Sequence, residues 1–217
     1  MVKQIRFISL VCLLSITSCL PPKTTVNSFK NTSYCYSNEK TGLSDLINID
    51  GYYSMSEEIL YKYGYPSLII RDTIERNTIF YDDGILIYSF YKEKYQEDKD
   101  KKFGFYNRGM ALWGSYIIHN DTIKAIFCQN PGGMSWSIGY VWFKIIDNTT
   151  IREIYFKWRE PITEIDISNI NSNNKNNIAF FVNYDSLPNP DRSWLKRKKW
   201  FWCTDEAWKD WVDSNIK

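Results

Sequence analysis

Residues 112–158 read LWGSYIIHNDTIKAIFCQNPGGMSWSIGYVWFKIIDNTTIREIYFKW, and this stretch decides the fold. Four runs rich in aromatic and β-branched residues, Leu112–Ile118, Thr122–Cys128, Ser135–Ile146 and Ile151–Trp158, follow one another with little between them. Asn120-Asp121 and Asp147-Asn148 supply turn chemistry at two of the joints, so the pattern is a ladder of antiparallel strands. Ile154, Phe156 and Trp158 alternate with Glu153, Tyr155 and Lys157, as in a strand with one face in a core and the other toward water. In the longest run, Trp136, Ile138, Tyr140 and Trp142 share one face while Val141, Phe143 and Ile145 share the other, so that strand is covered on both sides. One face is expected to meet a C-terminal helix and the other a packed interior or a pocket. Trp136, Tyr140 and Trp142 are the candidate ligand or surface-aromatic contacts.

Working outward, Ser67–Asp72 is a further strand. Thr78–Asp82 and Gly84–Tyr91 form a hairpin whose Asp82-Asp83-Gly84 corner provides a glycine for positive φ. Residues 56–65 fit a short helix or a strand, and Thr41–Ile49 has room for one helical turn. Lys92–Lys102 mixes charges and reads as a solvated loop. Phe103–Tyr106 and Ile162–Ile167 are shorter strand candidates, Asn169–Asn177 is an Asn-rich loop, and Ile178–Val182 is a last strand. Near the end, Thr204 is an N-cap, and Trp208, Trp211 and Val212 fall at helical spacing, which predicts an amphipathic helix over about residues 204–215.

The chain has 217 residues, 17% aromatic, with ten Gly, seven Pro and a single His. That length suits one domain with a substantial core, and the aromatic content favours strands over disorder or a coiled coil. One histidine excludes a multi-histidine metal site and restricts a His-based triad to His119, so no metal or cofactor is implied.

The N-terminus has Lys3 and Arg6 before the apolar stretch Phe7–Ile16, which is too short to span a bilayer and reads as a secretory signal. Ile16-Thr17-Ser18-Cys19 resembles the lipobox of bacterial lipoproteins, which implies a signal peptide over 1–18 and diacylation of Cys19. Residues 19–33, rich in Pro, Thr, Asn and Lys, are expected to be a flexible lipidated tether, with a single β-rich domain over 34–217. Removing residues 1–18 takes two bases and no acid, which leaves the mature chain formally neutral and argues against nucleic acid as a partner. Cys35, Cys128 and Cys203 remain. A Cys35–Cys203 disulfide and three reduced thiols are both compatible with the sequence.

Three constellations carry functional readings. Lys196–Lys199 between aromatic residues reads as a solvated edge, a contact with an anionic membrane or a nucleic-acid patch, in that order. Hydrolysis of an envelope glycan would require Asp82, Asp83 or Glu153 to converge in a cleft. His119 ends one strand of a hairpin and Cys128 ends the next, which separates them by nearly a full strand length and makes poor geometry for a Cys–His nucleophile.

Gly51-Tyr52-Tyr53, Phe80-Tyr81-Asp82-Asp83-Gly84, and Trp113-Gly114-Ser115-Tyr116-Ile117-Ile118 with Asp121-Thr122-Ile123-Lys124 resemble, in that order, small bacterial envelope lipoproteins with a lipocalin-like β-domain. Tyr53 stands where true lipocalins have Trp. The resemblance covers residues 50–160 and implies no catalytic residue. The expected fold is all-β and mainly antiparallel, a curved sheet or lipocalin-like barrel of about eight to ten strands closed by a C-terminal helix, with a β-sandwich as the alternative. The expected function is a non-enzymatic, lipid-anchored envelope protein of the outer membrane, periplasmic face. It would have a binding or structural role with an apolar or amphipathic ligand in the barrel. The alternative is a glycan-binding or glycan-hydrolysing accessory lipoprotein.

Overall fold

A computed structural model describes residues 21–30, 32–63, 68–101, 104–105, 111–129, 136–163, 166 and 177–216, with backbone only for 57–63 and 68–72. Residues 1–20, with Cys19, residues 130–135 and most of 164–176 lie outside the described residues, as do Phe103 and Tyr106 of the 103–106 strand candidate, whose Gly104 and Phe105 are not strand. Ile162 is buried without strand pairing.

Eight antiparallel strands close into a barrel in strict sequence order: β1 (Gly51–Tyr63), β2 (Leu68–Phe80), β3 (Ile85–Phe90), β4 (Leu112–His119), β5 (Thr122–Gln129), β6 (Ser137–Asp147), β7 (Thr150–Trp158) and β8 (Ile178–Asn183). Closure comes from Gly51–Ser54 pairing with Phe180–Asn183, and it removes both sheet edges. The barrel, rather than the sandwich, is therefore the architecture. Residues 56–63 are strand, and the two segments expected at 67–72 and 78–82 are one strand. The polar Thr73–Asn77 stays extended because it pairs with Ser54–Glu58 of β1.

The turns at 81–84, 120–121 and 148–149 define a lower end, and the longer connections define an upper end. Tight hairpin chemistry sits below: Gly84 has φ +88° and Asn120 has φ +56°, conformations suited to glycine and tolerated by asparagine. The lower end is plugged by a 3₁₀ turn, Leu43–Asp45, whose Leu43 joins Ile47 in the interior cluster. Tyr53 Oη donates to the carbonyls of Asn48 and Asn148, and Tyr116 Oη donates to the carbonyl of Tyr81, so the plug is also hydrogen-bonded.

Two apolar clusters lie on either side of the wall. One draws on all eight strands, including Tyr53, Phe80, Tyr88, Tyr116, Phe127, Phe143, Ile151 and Ala179, and fills the interior. Phe80 meets Tyr116 and Phe143 edge-on at 5.6 Å, so the lower half of the interior is packed with rings among the described residues. The other cluster is outside, where Trp113, Tyr140 and Trp142 are covered by Trp194, Leu195, Phe201, Trp202 and Trp211 of the C-terminal segment.

That segment ends in a helix, Asp205–Asn215, with Thr204 Oγ1 accepting from Ala207 N at 3.1 Å, as the cap predicts. Cys35 and Cys203 are disulfide-bonded, and Tyr36 forms a parallel bridge with Trp202. Lys196 is 1% exposed. Its Nζ lies 2.9 Å from both Asp83 Oδ2 and Asp191 Oδ1, and Tyr36 Oη donates to the same Asp83 oxygen at 2.7 Å. The first residue of the basic run is thus an internal clamp, and Arg197, Lys198 and Lys199 remain exposed.

Two expectations are corrected. The 19–33 stretch is not a flexible coil throughout, because α1 (Lys23–Phe29) forms there and buries Phe29 against Trp200 and Phe201. Packing of one aromatic supports a helix whose own composition does not. The charged run after β3 contains α2 (Lys92–Asp98), held by Tyr95, whose ring meets Phe90 at 5.9 Å and whose hydroxyl donates to the Leu187 carbonyl. The C-terminal helix is α3.

Candidate functional site in the upper barrel interior

Glu153 turns into the barrel, contrary to the simple alternation of β7. The cause is a bulge: Trp142 pairs with Tyr155 but Phe143 pairs with Glu153, so Ile154 is the extra residue. Below the bulge Ile151 and Glu153 face inward, and above it Phe156 rejoins the interior cluster while Ile154 and Tyr155 pack outside.

The inward carboxylate is 6% exposed and meets two partners from the far side of the lumen. Tyr88 Oη on β3 donates to Glu153 Oε2 at 3.0 Å, Arg76 Nη1 on β2 donates to Tyr88 Oη at 2.7 Å, and Arg76 Nη1 lies 3.5 Å from Glu153 Oε1. β3 and β7 stand four strands apart in an eight-strand ring, so this chain of donors bridges the diameter. Arg76 is 23% exposed and lies over the Tyr88 ring at 5.6 Å. Burial raises the Tyr88 pKa, and the neighbouring Glu153 charge adds to the rise, so the phenol remains a donor and not a base.

Beside this trio the rings of Tyr88, Phe127 and Phe156 lie nearly parallel, with Tyr88 and Phe127 centroids 4.5 Å apart. Trp158 meets Phe127 and Phe156 edge-on at 5.4 and 5.3 Å and remains 43% exposed. Phe127 on β5 reaches Trp158 on β7 over the strand between them because Gly139 occupies that row. A Cβ at Gly139 would sit 2.2 Å from Phe127 Cζ. The upper interior thus combines a stack of buried rings, an exposed indole and an ion pair, with Trp158 and the partly exposed Arg76 as the members that face solvent. An indole beside a cation suits contact with a small molecule that has both an apolar and a polar part.

The other sequence candidates are dispersed. Asp82 accepts from Ser44, Asp83 is bound to Lys196 and Tyr36 at the lower turn, and Glu153 is bound to Arg76 and Tyr88, so the three carboxylates do not converge. His119 is exposed and pairs with Thr122, whereas Cys128 pairs with Trp113 at the other end of the hairpin. The Cys128 thiol is buried, which pushes its pKa up to about 12.

Trp136, Tyr140 and Trp142 lie outside the wall beneath the cover. Tyr140 and Trp142 are buried, Tyr140 edge-on to Tyr34 at 6.0 Å and Trp142 under Lys124 Nζ at 3.9 Å. Trp136 is half-buried between Trp194 and Trp200. Tyr140 also lines a groove of about 420 Å³ with Tyr34, Arg159 and residues of α1.

Arg76 and Tyr88 escaped the sequence reading. They lie 12 residues apart, with Glu153 a further 65 beyond Tyr88, and no local spacing relates them. The one available signal is parity: Tyr88 follows Leu86 on the inward face of β3 and carries a hydroxyl that needs a partner there.

No protein-family model, curated protein or solved structure matches the chain.

Proposed function

We propose that this protein is a lipid-anchored, cell-envelope barrel that binds a small amphipathic molecule at the upper end of its interior. The polar group of the ligand lies toward Arg76, Tyr88 and Glu153, and its apolar part lies against Phe156 and Trp158. The observation that carries this reading is the donor chain across the lumen. A barrel filled with apolar side chains gains nothing in packing from a buried ion pair, which has a desolvation cost that hydrophobic residues of similar volume would not incur. Its retention beneath an exposed tryptophan favours a role in recognition. The filled lower half limits the ligand to a size that the upper interior accommodates.

The envelope setting rests on the lipobox-like Ile16-Thr17-Ser18-Cys19 and the signal before it, and the Cys35–Cys203 disulfide supports an oxidising compartment. The outer membrane, periplasmic face, is the location that this reading assigns. A surface glycan is the second reading. It is favoured by the exposure of Trp158, whose ring could stack on a sugar.

Intrinsic fluorescence of the unacylated Cys19→Ser protein, titrated with dodecanoate and separately with a soluble peptidoglycan fragment, tests the two. Saturable micromolar quenching by dodecanoate supports the barrel ligand, and a response to the glycan alone supports the platform. Silence to both overturns each in favour of a structural or protein-binding role.

A further inference from the structure

The anchor and the basic run are far apart in sequence, yet α1 packs on the segment that carries the run. Phe29 of α1 lies 5.6 Å from Trp200 and 5.4 Å from Phe201, immediately after Arg197, Lys198 and Lys199, all of which are exposed. Cys19 is four residues before Lys23, so an acyl group on it lies within roughly 14 Å of the start of α1, the limit of an extended chain. Exposed Lys23 and Lys30 flank the same helix. Among the α3 acids, Asp205 lies 2.7 Å from Lys199 and its charge is also felt at Lys30, and the helix carries three more exposed acids, Glu206, Asp210 and Asp213.

This face also has a defined place on the barrel. Trp200 lies 6.1 Å from Trp136, the residue before β6, and the groove beside α1 includes Arg159 and Pro161, which follow β7. Both are at the upper end, where Trp158 stands, while the side chain of Lys196, just before the turn, reaches down to Asp83 of the lower hairpin.

We infer that the face formed by α1 and the 197–200 turn is held against an anionic membrane surface, which turns the upper end of the barrel toward lipid. The inference rests on acylation of Cys19. A docked α1 leaves only a few residues between lipid and domain, and Lys23, Lys30, Arg197 and Lys198 then meet headgroups within the range where surface potential acts. An amphipathic ligand would exchange between bilayer and barrel over a short path.

The test is amine acetylation of the acylated full chain in nanodiscs of neutral phosphatidylcholine, with and without about 30% phosphatidylglycerol, read residue by residue by mass spectrometry. Lys30 and Lys198 should react at least about threefold more slowly in the anionic discs and recover in about 0.5 M salt, while Lys144 at the lower end should not change. The Arg197→Glu/Lys198→Glu variant, altered only at exposed positions, should lose the protection at Lys30 without a change in melting temperature. Equal rates in both discs, or protection at Lys144 in place of Lys30, would overturn the inference. Intact mass and fractionation report acylation separately. If Cys19 proves unmodified, the same labelling of the unanchored chain with anionic vesicles still decides whether this face meets lipid.

Discussion

Tyr88 on β3 and Glu153 on β7 join opposite sides of the barrel through a 3.0 Å hydrogen bond, with Arg76 donating to Tyr88 at 2.7 Å. Removing the cation alone leaves a carboxylate in an apolar lumen. Arg76→Met is therefore expected to destabilise the domain by roughly 3 kcal/mol, the low end for a broken buried pair because Arg76 retains some solvent. Arg76→Met/Glu153→Leu should recover most of that loss. Urea denaturation of both variants measures it, and two additive losses would show that the pair is not coupled.

Gly84 tests the lower hairpin. It has φ +88°, so Gly84→Val is opposed by backbone strain, whereas the added Cβ would only reach van der Waals contact with Thr41 Cγ2 at 3.4 Å. The expected cost is about 1–3 kcal/mol. An unchanged melting curve would mean that this corner tolerates a β-branched residue and that the turn does not set the β2–β3 register.

These two sites show which parts of the fold were legible in the sequence. The corner at Asp82-Asp83-Gly84 and the cap at Thr204 are local, since turn and cap chemistry lie within a few adjacent residues. The antiparallel order follows from consecutive strands with alternating faces, whereas closure into a barrel rather than a sandwich rests on the β1–β8 pairing, which no local pattern announces. Glu153 was not legible, because the bulge at Ile154 shifts parity through pairing with β6, a partner choice outside β7 itself. The helix Lys23–Phe29 was hidden for a similar reason, since its stability comes from Trp200 and Phe201, more than 170 positions away. Arg76 lies in a polar stretch whose extended form depends on β1.

The Cys35–Cys203 bond closes almost the whole domain, with a separation of 168 residues. Its loss should lower stability by about 2–5 kcal/mol, chiefly by freeing the unfolded chain. Comparison of Cys35→Ser/Cys203→Ser with the oxidised parent by denaturant titration checks this, and equal midpoints would contradict it.

Cys128 gives a pH-dependent signal of opposite character. Burial disfavours its thiolate, so the folded pKa of about 12 exceeds the ordinary value of 9.0. The folded state then holds a proton that the unfolded state releases, and this contribution to stability is present below about pH 9 and lost as pH rises toward 12. Iodoacetamide at about pH 8.5 should leave native Cys128 unlabelled and modify it rapidly in urea. Fast labelling of the native protein would show that the β4–β5 hairpin opens.

The central claim is that the upper interior holds an amphipathic ligand through its buried polar trio. Isothermal titration of dodecanoate into the unacylated protein and into Arg76→Met/Glu153→Leu, both confirmed folded by circular dichroism, tests it directly. The account predicts saturable micromolar binding to the parent and at least about tenfold weaker binding to the variant, a difference of roughly 1.4 kcal/mol. Equal affinity in the two proteins, or no heat in either, would contradict it.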